Sequence, residues 1–85
     1  MIERLRKEID TIDNKIVELL SKRKGIVKKI AGIKKQGNKP VIDKEREREI
    51  IHRLKKLSKG KGLDENFIES IYKIIINNSR NEQEK

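Results

Sequence analysis

The chain has 85 residues, of which 44% are charged and 33% hydrophobic, and it carries a formal net charge of +9. This length fits one domain, residues 1–85, with a thin core. The lack of cysteine excludes disulfides and thiolate metal sites, and a single histidine cannot build a metal site of several histidines. No apolar run approaches the length of a signal core or a membrane span, so we expect a cytoplasmic protein that does not bind membranes.

The first predicted element is one long helix from about residue 3 to about residue 36, closed by Gly37 and the turn before Pro40. Its apolar residues recur at three- and four-residue steps, which is the helical period. Such a helix would extend roughly 50 Å, whereas a compact globule of this size has a radius of gyration of about 12 Å. We therefore predict a homodimer in which the first helices pack along each other.

Two shorter helices are predicted in the rest of the chain. Asp43 can cap the first turn of the second helix, whose apolar residues run from Ile50 to Leu57 before Gly60 ends it. Asp64 can cap the third helix, which we expect to fray within residues 77–85. No strand is indicated, so the predicted fold class is all-α, with one very long and two shorter helices.

Two cations lie in phase with the apolar stripe of the first helix. Arg23 and Lys34 are eleven residues apart, so they share one face at a separation of roughly 16 Å along the axis, and both could contact one small anion. Arg6 is also in phase with the apolar residues around it, but it points about 100° away from Arg23. A crossed or antiparallel partner chain could bring its Arg6 to this pair.

The other two stripes contain polar residues as well. Asp43 and Glu47 begin the stripe of the second helix, and Ser79 and Gln83 end that of the third. Each position alone has an ordinary explanation, such as a side chain that reaches water, an N-cap or a fraying end. Because a charge on a buried face is costly unless it is paired, seven such positions on three stripes favour a buried polar pocket.

Five stretches of the sequence occur in a specific order and spacing: residues 5–13 (LRKEIDTID), 19–23 (LLSKR), 33–34 (IK), 40–43 (PVID) and 46–47 (RE). With this ordered set the sequence resembles the all-helical chorismate mutases, over essentially the whole chain. The resemblance implies an intertwined homodimer with two active sites. It also implies the rearrangement of chorismate to prephenate in phenylalanine and tyrosine biosynthesis, without a cofactor or a metal.

The resemblance further implies roles for the polar residues that lie in phase with the apolar stripes. Arg6 of the partner chain and Arg23 would bind the two carboxylates of chorismate, and Lys34 would contact a carboxylate and the ether oxygen. Gln83 would donate a second hydrogen bond to that oxygen. The remaining roles fall to Asp43 and Glu47 at the ring hydroxyl, Ser79 at the ring carboxylate, and Arg46 as a charged neighbour of the site.

The residue types suit this chemistry. Guanidinium groups bind carboxylates through two parallel hydrogen bonds. A pericyclic reaction needs no nucleophile or base, but it needs a compact substrate conformer and donors aimed at the oxygen that gains negative charge. We therefore assign catalysis to Lys34, Gln83, Arg23 and Glu47.

Two other functions fit parts of the sequence. The charge of +9 and the basic cluster at residues 55–61 suggest a helical dimer that binds nucleic acid. Against this, Arg23 and Lys34 lie on the inner stripe and only two residues are aromatic, so base stacking would have little support. A purely structural dimer is the third alternative, and it would tolerate leucine at both cationic positions.

Overall fold

A computed structural model describes residues 1–40 and 42–84, without the side chain of Glu84. Within these ranges the chain forms three helices and no strand: α1 (Ile2–Gln36), α2 (Lys44–Lys59) and α3 (Glu65–Glu84). The predicted all-α class, with one long and two shorter helices, is confirmed. Val41, which belongs to one of the five stretches, and Lys85 lie outside the described residues.

The helix boundaries follow from local hydrogen bonds. Gly37 N–H donates to the Ile33 carbonyl at 3.1 Å where α1 ends, and Asn38 then adopts a left-handed φ of 55°. Asp43 caps α2 as predicted, since its Oδ1 accepts from the backbone N–H of Arg46 at 3.0 Å. These caps satisfy backbone groups that have no partner within the helices.

The second and third helices form an antiparallel pair. Lys59 near the end of α2 pairs with Glu65 at the start of α3, at 3.8 Å. Glu47 near the start of α2 is hydrogen-bonded to Arg80 near the end of α3. The tight turn between the helices contains Gly62, whose φ of 72° is one that side chains with a Cβ rarely adopt.

The third helix also packs against the C-terminal half of α1, in roughly the same direction. Arg23 contacts Ser79, and Lys28, further along α1, pairs with Glu82, further along α3, at 3.7 Å. The third helix therefore lies between the other two. This arrangement brings the end of α1, the start of α2 and the end of α3 to one end of the molecule.

The first half of α1 extends away from the other helices. The molecule measures 55 × 24 × 16 Å with a radius of gyration of 15.8 Å, well above the roughly 12 Å of a compact chain of this length. The buried apolar residues are only Val27, Ala31 and Ile76 among those described, so the expected thin core is confirmed. On one face of the N-terminal half, the apolar residues Ile2, Leu5, Ile9, Ile12 and Ile16 are between 50% and 66% exposed.

The third helix continues to Glu84, and its last turns pack against both other helices through Ser79, Arg80 and Glu82. The expected fraying within residues 77–85 stays a prediction. The expectation that Leu57 ends the inner stripe of α2 is wrong. On α2, Leu57 is 53% exposed and the adjacent Ser58 is buried instead. The Ser58 carbonyl accepts N–H donors from the α2–α3 turn, which holds this small residue inside.

Candidate active site

A cleft of about 240 Å³ lies where the three helices meet. Its apolar wall comes from α1, α2 and α3 through Ile26, Val27, Ile30, Ile50 and Ile76. Seven of the eight predicted site residues also line it: Arg23, Lys34, Asp43, Arg46, Glu47, Ser79 and Gln83. The structure thus brings side chains from all three stripes into a single polar cleft.

The cationic side of this cleft belongs to α1. Arg23 and Lys34 are both half-buried and face the same cleft, as their helical phase predicted. Arg23 Nη1 donates to Ser79 Oγ at 2.5 Å, and Ser79 Oγ donates to the Ile75 carbonyl at 3.0 Å. A guanidinium carries five N–H donors, so the bond to Ser79 orients Arg23 while leaving donors that can bind an anion.

The acidic side of the cleft belongs to the start of α2. Asp43 uses Oδ1 to cap the helix, at 3.0 Å from the Arg46 N–H, so it has the ordinary structural role as well as a place on the cleft wall. The Arg46 side chain is exposed and pairs with Glu49 at 3.0 Å. Glu47 is half-buried and sits one turn beyond the cap.

Glu47 is held by Arg80, which does not lie in phase with the polar residues of the α3 stripe. Arg80 Nε donates to Glu47 Oε2 at 2.7 Å, and Arg80 Nη2 donates to Oε1. The hydrogen bonds from Arg80 lower the pKa of Glu47 against the opposing effect of burial, and the charges of Arg80 and Lys44 add to this lowering while Asp43 opposes it. The carboxylate is therefore ionised at neutral pH.

The last turn of α3 completes the cleft with Gln83, which is half-buried. Its neighbour Glu82, also missed in the sequence, has a buried side chain that pairs with Lys24 at 3.1 Å and Lys28 at 3.7 Å. Glu82 follows Ile75 by seven residues, so helical phase could have placed it on the inner face. These pairs fix the turn that carries Gln83 against α1.

Arg6 is the predicted site residue that this chain does not bring to the cleft. It lies in the exposed N-terminal half of α1, and the cleft walls do not include it. Its phase relative to Arg23 predicted this separation. Its delivery by a partner chain stays a prediction.

Arg23 and Lys34 lie on one wall of the cleft, and the carboxylates of Asp43 and Glu47 lie on another, next to Arg46. Such a site suits a small molecule that carries carboxylates at one end and a hydrogen-bond donor at the other. Among residues 1–40 and 42–84, no group of three or more His, Asp or Glu side chains could hold a metal ion. Over the same residues, no helix is long and apolar enough to cross a membrane.

Residues 5–84, which include the whole cleft, match the family model for chorismate mutase type II. The chain belongs to the type II chorismate mutase family. It is 43% identical over 83 residues to a chorismate mutase of Methanocaldococcus jannaschii, a match that covers 94% of this chain and 84% of that protein. The family resemblance of the sequence is thereby confirmed.

Other relatives are longer proteins with two named activities. The chain is 41% identical to a bifunctional chorismate mutase/prephenate dehydratase of Buchnera aphidicola, over 94% of this chain but 21% of that protein. It is 33% identical to the protein of the same name from Escherichia coli, over 88% of this chain and 19% of that protein. This chain thus spans about a fifth of the bifunctional relatives and most of the archaeal one.

Proposed function

We propose that the three-helix cleft binds chorismate and rearranges it to prephenate. Family membership makes the chain an isomerase, a chorismate mutase. The observation that carries the proposal for the site is the meeting of Arg23, Lys34, Glu47 and Gln83, from three different helices, in one cleft of about 240 Å³. Their chemistry matches a substrate with two carboxylates, an ether oxygen and a ring hydroxyl.

The carboxylate-binding side consists of Arg23 with its partner Ser79. The hydrogen bond of 2.5 Å between them fixes the guanidinium before the substrate arrives. An oriented guanidinium can hold a carboxylate through two parallel bonds, which restricts the flexible side chain of chorismate to its compact, reactive conformer. We propose that Arg6 of a partner chain binds the second carboxylate.

The reaction breaks a C–O bond while a C–C bond forms, and the ether oxygen gains negative charge in the transition state. Lys34 and Gln83 face the same cleft from α1 and α3 and would both donate hydrogen bonds to that oxygen. Donors fixed in advance stabilise such developing charge without having to reorganise. At the other end, Glu47 and Asp43 would accept a hydrogen bond from the ring hydroxyl, and Arg46 adds positive charge at the rim.

We further propose that the active protein is an intertwined homodimer. Ile2, Leu5, Ile9, Ile12 and Ile16 form an exposed apolar stripe on the N-terminal half of α1, with no cover from the described part of the chain, and such stripes are typical of interfaces. A groove of about 450 Å³ with mostly apolar walls lies between α1 and α3, and it shares Arg23 and Ser79 with the cleft. A second copy seated along this face would close the cleft and bring in its Arg6.

The molar mass in solution tests the dimer. Light scattering should give about twice the 10.0 kDa of the chain, and Ile9→Lys should reduce it towards one chain because a charge would be buried in the interface. Thr11→Lys is the matched control, since Thr11 lies about 200° around the helix from Ile9. A wild-type monomer would contradict the dimer proposal.

Purified protein incubated with chorismate tests the proposed function. We expect chorismate to disappear and prephenate to appear, with no cofactor or metal added and with chelator present. Unchanged chorismate in the presence of folded dimer would refute the assignment. We also propose a cytoplasmic location and a role in phenylalanine and tyrosine biosynthesis, in keeping with the family.

The nucleic-acid alternative has less support than the enzyme. The most informative cations, Arg23 and Lys34, are half-buried and line the cleft between the helices, whereas phosphate binding needs an accessible basic face. We expect no salt-dependent binding of the purified protein to duplex DNA or RNA. An electrophoretic mobility assay across a salt series checks this.

A further inference from the structure

Arg80 contacts both carboxylate oxygens of Glu47, yet it does not line the cleft itself. We propose that Arg80 is a positioning residue, which holds the Glu47 carboxylate from behind so that its free lone pairs face the ring hydroxyl of the substrate. This proposal rests on the proposed function of the cleft. It adds a residue of α3 to the site that neither the sequence pattern nor the cleft walls include.

Arg80 and the cleft lie on different sides of Glu47. Arg80 lies in a separate groove, which it shares with Lys44, Lys73 and Asn77, whereas Glu47 lines both that groove and the cleft. The guanidinium contacts both carboxylate oxygens, through Nε to Oε2 at 2.7 Å and through Nη2 to Oε1. Such a two-point contact fixes the plane of the carboxylate as well as its position.

The carboxylate can serve Arg80 and a substrate at the same time. An ionised carboxylate offers about four lone-pair directions, and Arg80 occupies one on each oxygen. One direction on each oxygen is left, and the cleft is the side from which a hydroxyl can approach. Because the side chain of Glu47 is only 16% exposed and that of Arg80 is 37% exposed, this contact is also less open to solvent than a surface ion pair.

Protonation of Glu47 would change its role from acceptor to donor, so the charges around it decide the working pH range. The charged residues that line the same cleft or groove as Glu47 come from all three helices. They are the N-cap Asp43 with Lys44, Arg46 and Arg48 of α2, Lys73 and Arg80 of α3, and Arg23 and Lys34 of α1. Arg80 lowers its pKa more than any other neighbour does. Glu47 should therefore stay ionised to lower pH in the native protein than it would without Arg80.

The experiment compares Arg80→Gln and Arg80→Lys with the control Lys73→Gln. Lys73 lies seven residues before Arg80 on the same face of α3 and lines the same groove, but its charge is not among the causes of the Glu47 shift. Two quantities are measured for each protein: kcat/KM as a function of pH, and the titration of the Glu47 side-chain carboxyl carbon by NMR in the free dimer. Circular dichroism checks that the helices are retained.

We expect Arg80→Gln to raise the titration midpoint of Glu47, to move the acid limb of kcat/KM to higher pH by the same amount, and to lower kcat/KM at neutral pH about tenfold. Arg80→Lys should shift the titration midpoint of Glu47 and the acid limb of kcat/KM in the same direction but less, since it keeps the charge and loses the second parallel bond. Lys73→Gln should leave both profiles unchanged. If Arg80→Gln fails to fold, the same comparison is made with Arg80→Lys alone.

Profiles of both Arg80 variants that coincide with wild type would overturn the proposal, and so would an equal shift in Lys73→Gln. A shift in the NMR titration without any change in the pH dependence of kcat/KM would also overturn it, because Arg80 would then be only a structural tie. A wild-type protein that does not convert chorismate would refute the proposed function instead. The NMR titration would still report whether Arg80 controls the charge of Glu47.

Discussion

Replacing Lys34 by methionine tests whether the ammonium group of Lys34 contributes to catalysis in the cleft. Replacing it by alanine would remove the long side chain as well. Methionine keeps a long unbranched chain and high helix propensity but removes the charge and the hydrogen-bond donors. Lys34 is half-buried in the cleft wall, whereas its neighbour Lys35 is exposed. Lys35→Met is therefore a control that removes the same charge from the same last turn of α1.

The size of the effect follows from these positions. Each substitution removes one cation from the C-terminal end of a helix, which costs about 0.3–1 kcal/mol of stability and is common to both variants. Only Lys34→Met also removes the donor that we propose acts in the transition state, and the loss of one such donor costs about 2.7–4 kcal/mol, or roughly 10²–10³ in kcat. Stability should change little in Lys34→Met, because removing a cation from a partly apolar wall relieves a cost of burial.

The assay is the steady-state conversion of chorismate, with thermal unfolding followed by circular dichroism for both variants. The predicted result is a large fall in kcat for Lys34→Met and near wild-type kinetics for Lys35→Met. A loss of less than about tenfold in Lys34→Met would refute the argument that Lys34 stabilises the transition state. Equal losses of kcat in the two variants would show that activity depends on the total charge of α1 and not on the position of Lys34 in the cleft.

Three further predictions concern the contacts around the cleft and the net charge of the chain. Ser79→Ala should lower kcat/KM about tenfold, because Arg23 loses the partner that orients it, while Ser70→Ala on the exposed side of α3 should have no effect in the same kinetic assay. Because the folded-state pKa of Glu47 is lowered, its pairing with Arg80 should stabilise the fold fully above the ordinary glutamate pKa and lose this effect as the pH falls through the lowered value. Chemical denaturation of wild type and Arg80→Gln across acidic pH should show their difference in unfolding free energy shrinking in that window. Finally, kcat/KM for a dianionic substrate should fall as ionic strength rises, because the chain carries a net charge of +9 and salt screens long-range attraction; a flat salt series would contradict this steering.

The helices and the inner face of the cleft could be predicted because both depend on local periodicity. Apolar residues at three- and four-residue steps gave the three helices, and Asp43 gave the start of the second. The same arithmetic put Arg23 and Lys34 on one face. A cation in phase with an apolar stripe indicates a site, because a buried charge is costly unless it has a partner. The structure places Arg23 and Lys34 in the wall of one cleft.

The pairs that cross between helices could not be predicted in this way. Arg80 with Glu47, and Glu82 with its two lysines, depend on how α3 lies against its neighbours, which a one-dimensional phase does not determine. The asparagines in the polar end of α3 are weak helix formers, so local preference alone favours fraying there. Tertiary contacts oppose that local preference, and they also bury Ser58 in place of Leu57.

The position of Arg6 distinguishes a site built by one chain from a site shared between two chains. One rigid helix cannot bend its own Arg6 back to the cleft, since Arg23 lies roughly 25 Å further along the axis. A shared site therefore requires two chains, and each chain would then supply one Arg6 and one cleft. Variants that lack one or the other should be inactive alone and active together.

Subunit mixing shows directly whether one active site is built from two chains. Arg6→Ala and Arg23→Ala proteins are each assayed for chorismate conversion, then unfolded together in equal amounts, refolded and assayed again. Random pairing should give heterodimers in which one site has both arginines, so that activity returns to about a quarter of the wild-type value per chain. A mixture that stays as inactive as its components, although it forms heterodimers of the expected mass, would contradict the account of a cleft completed by the partner's Arg6.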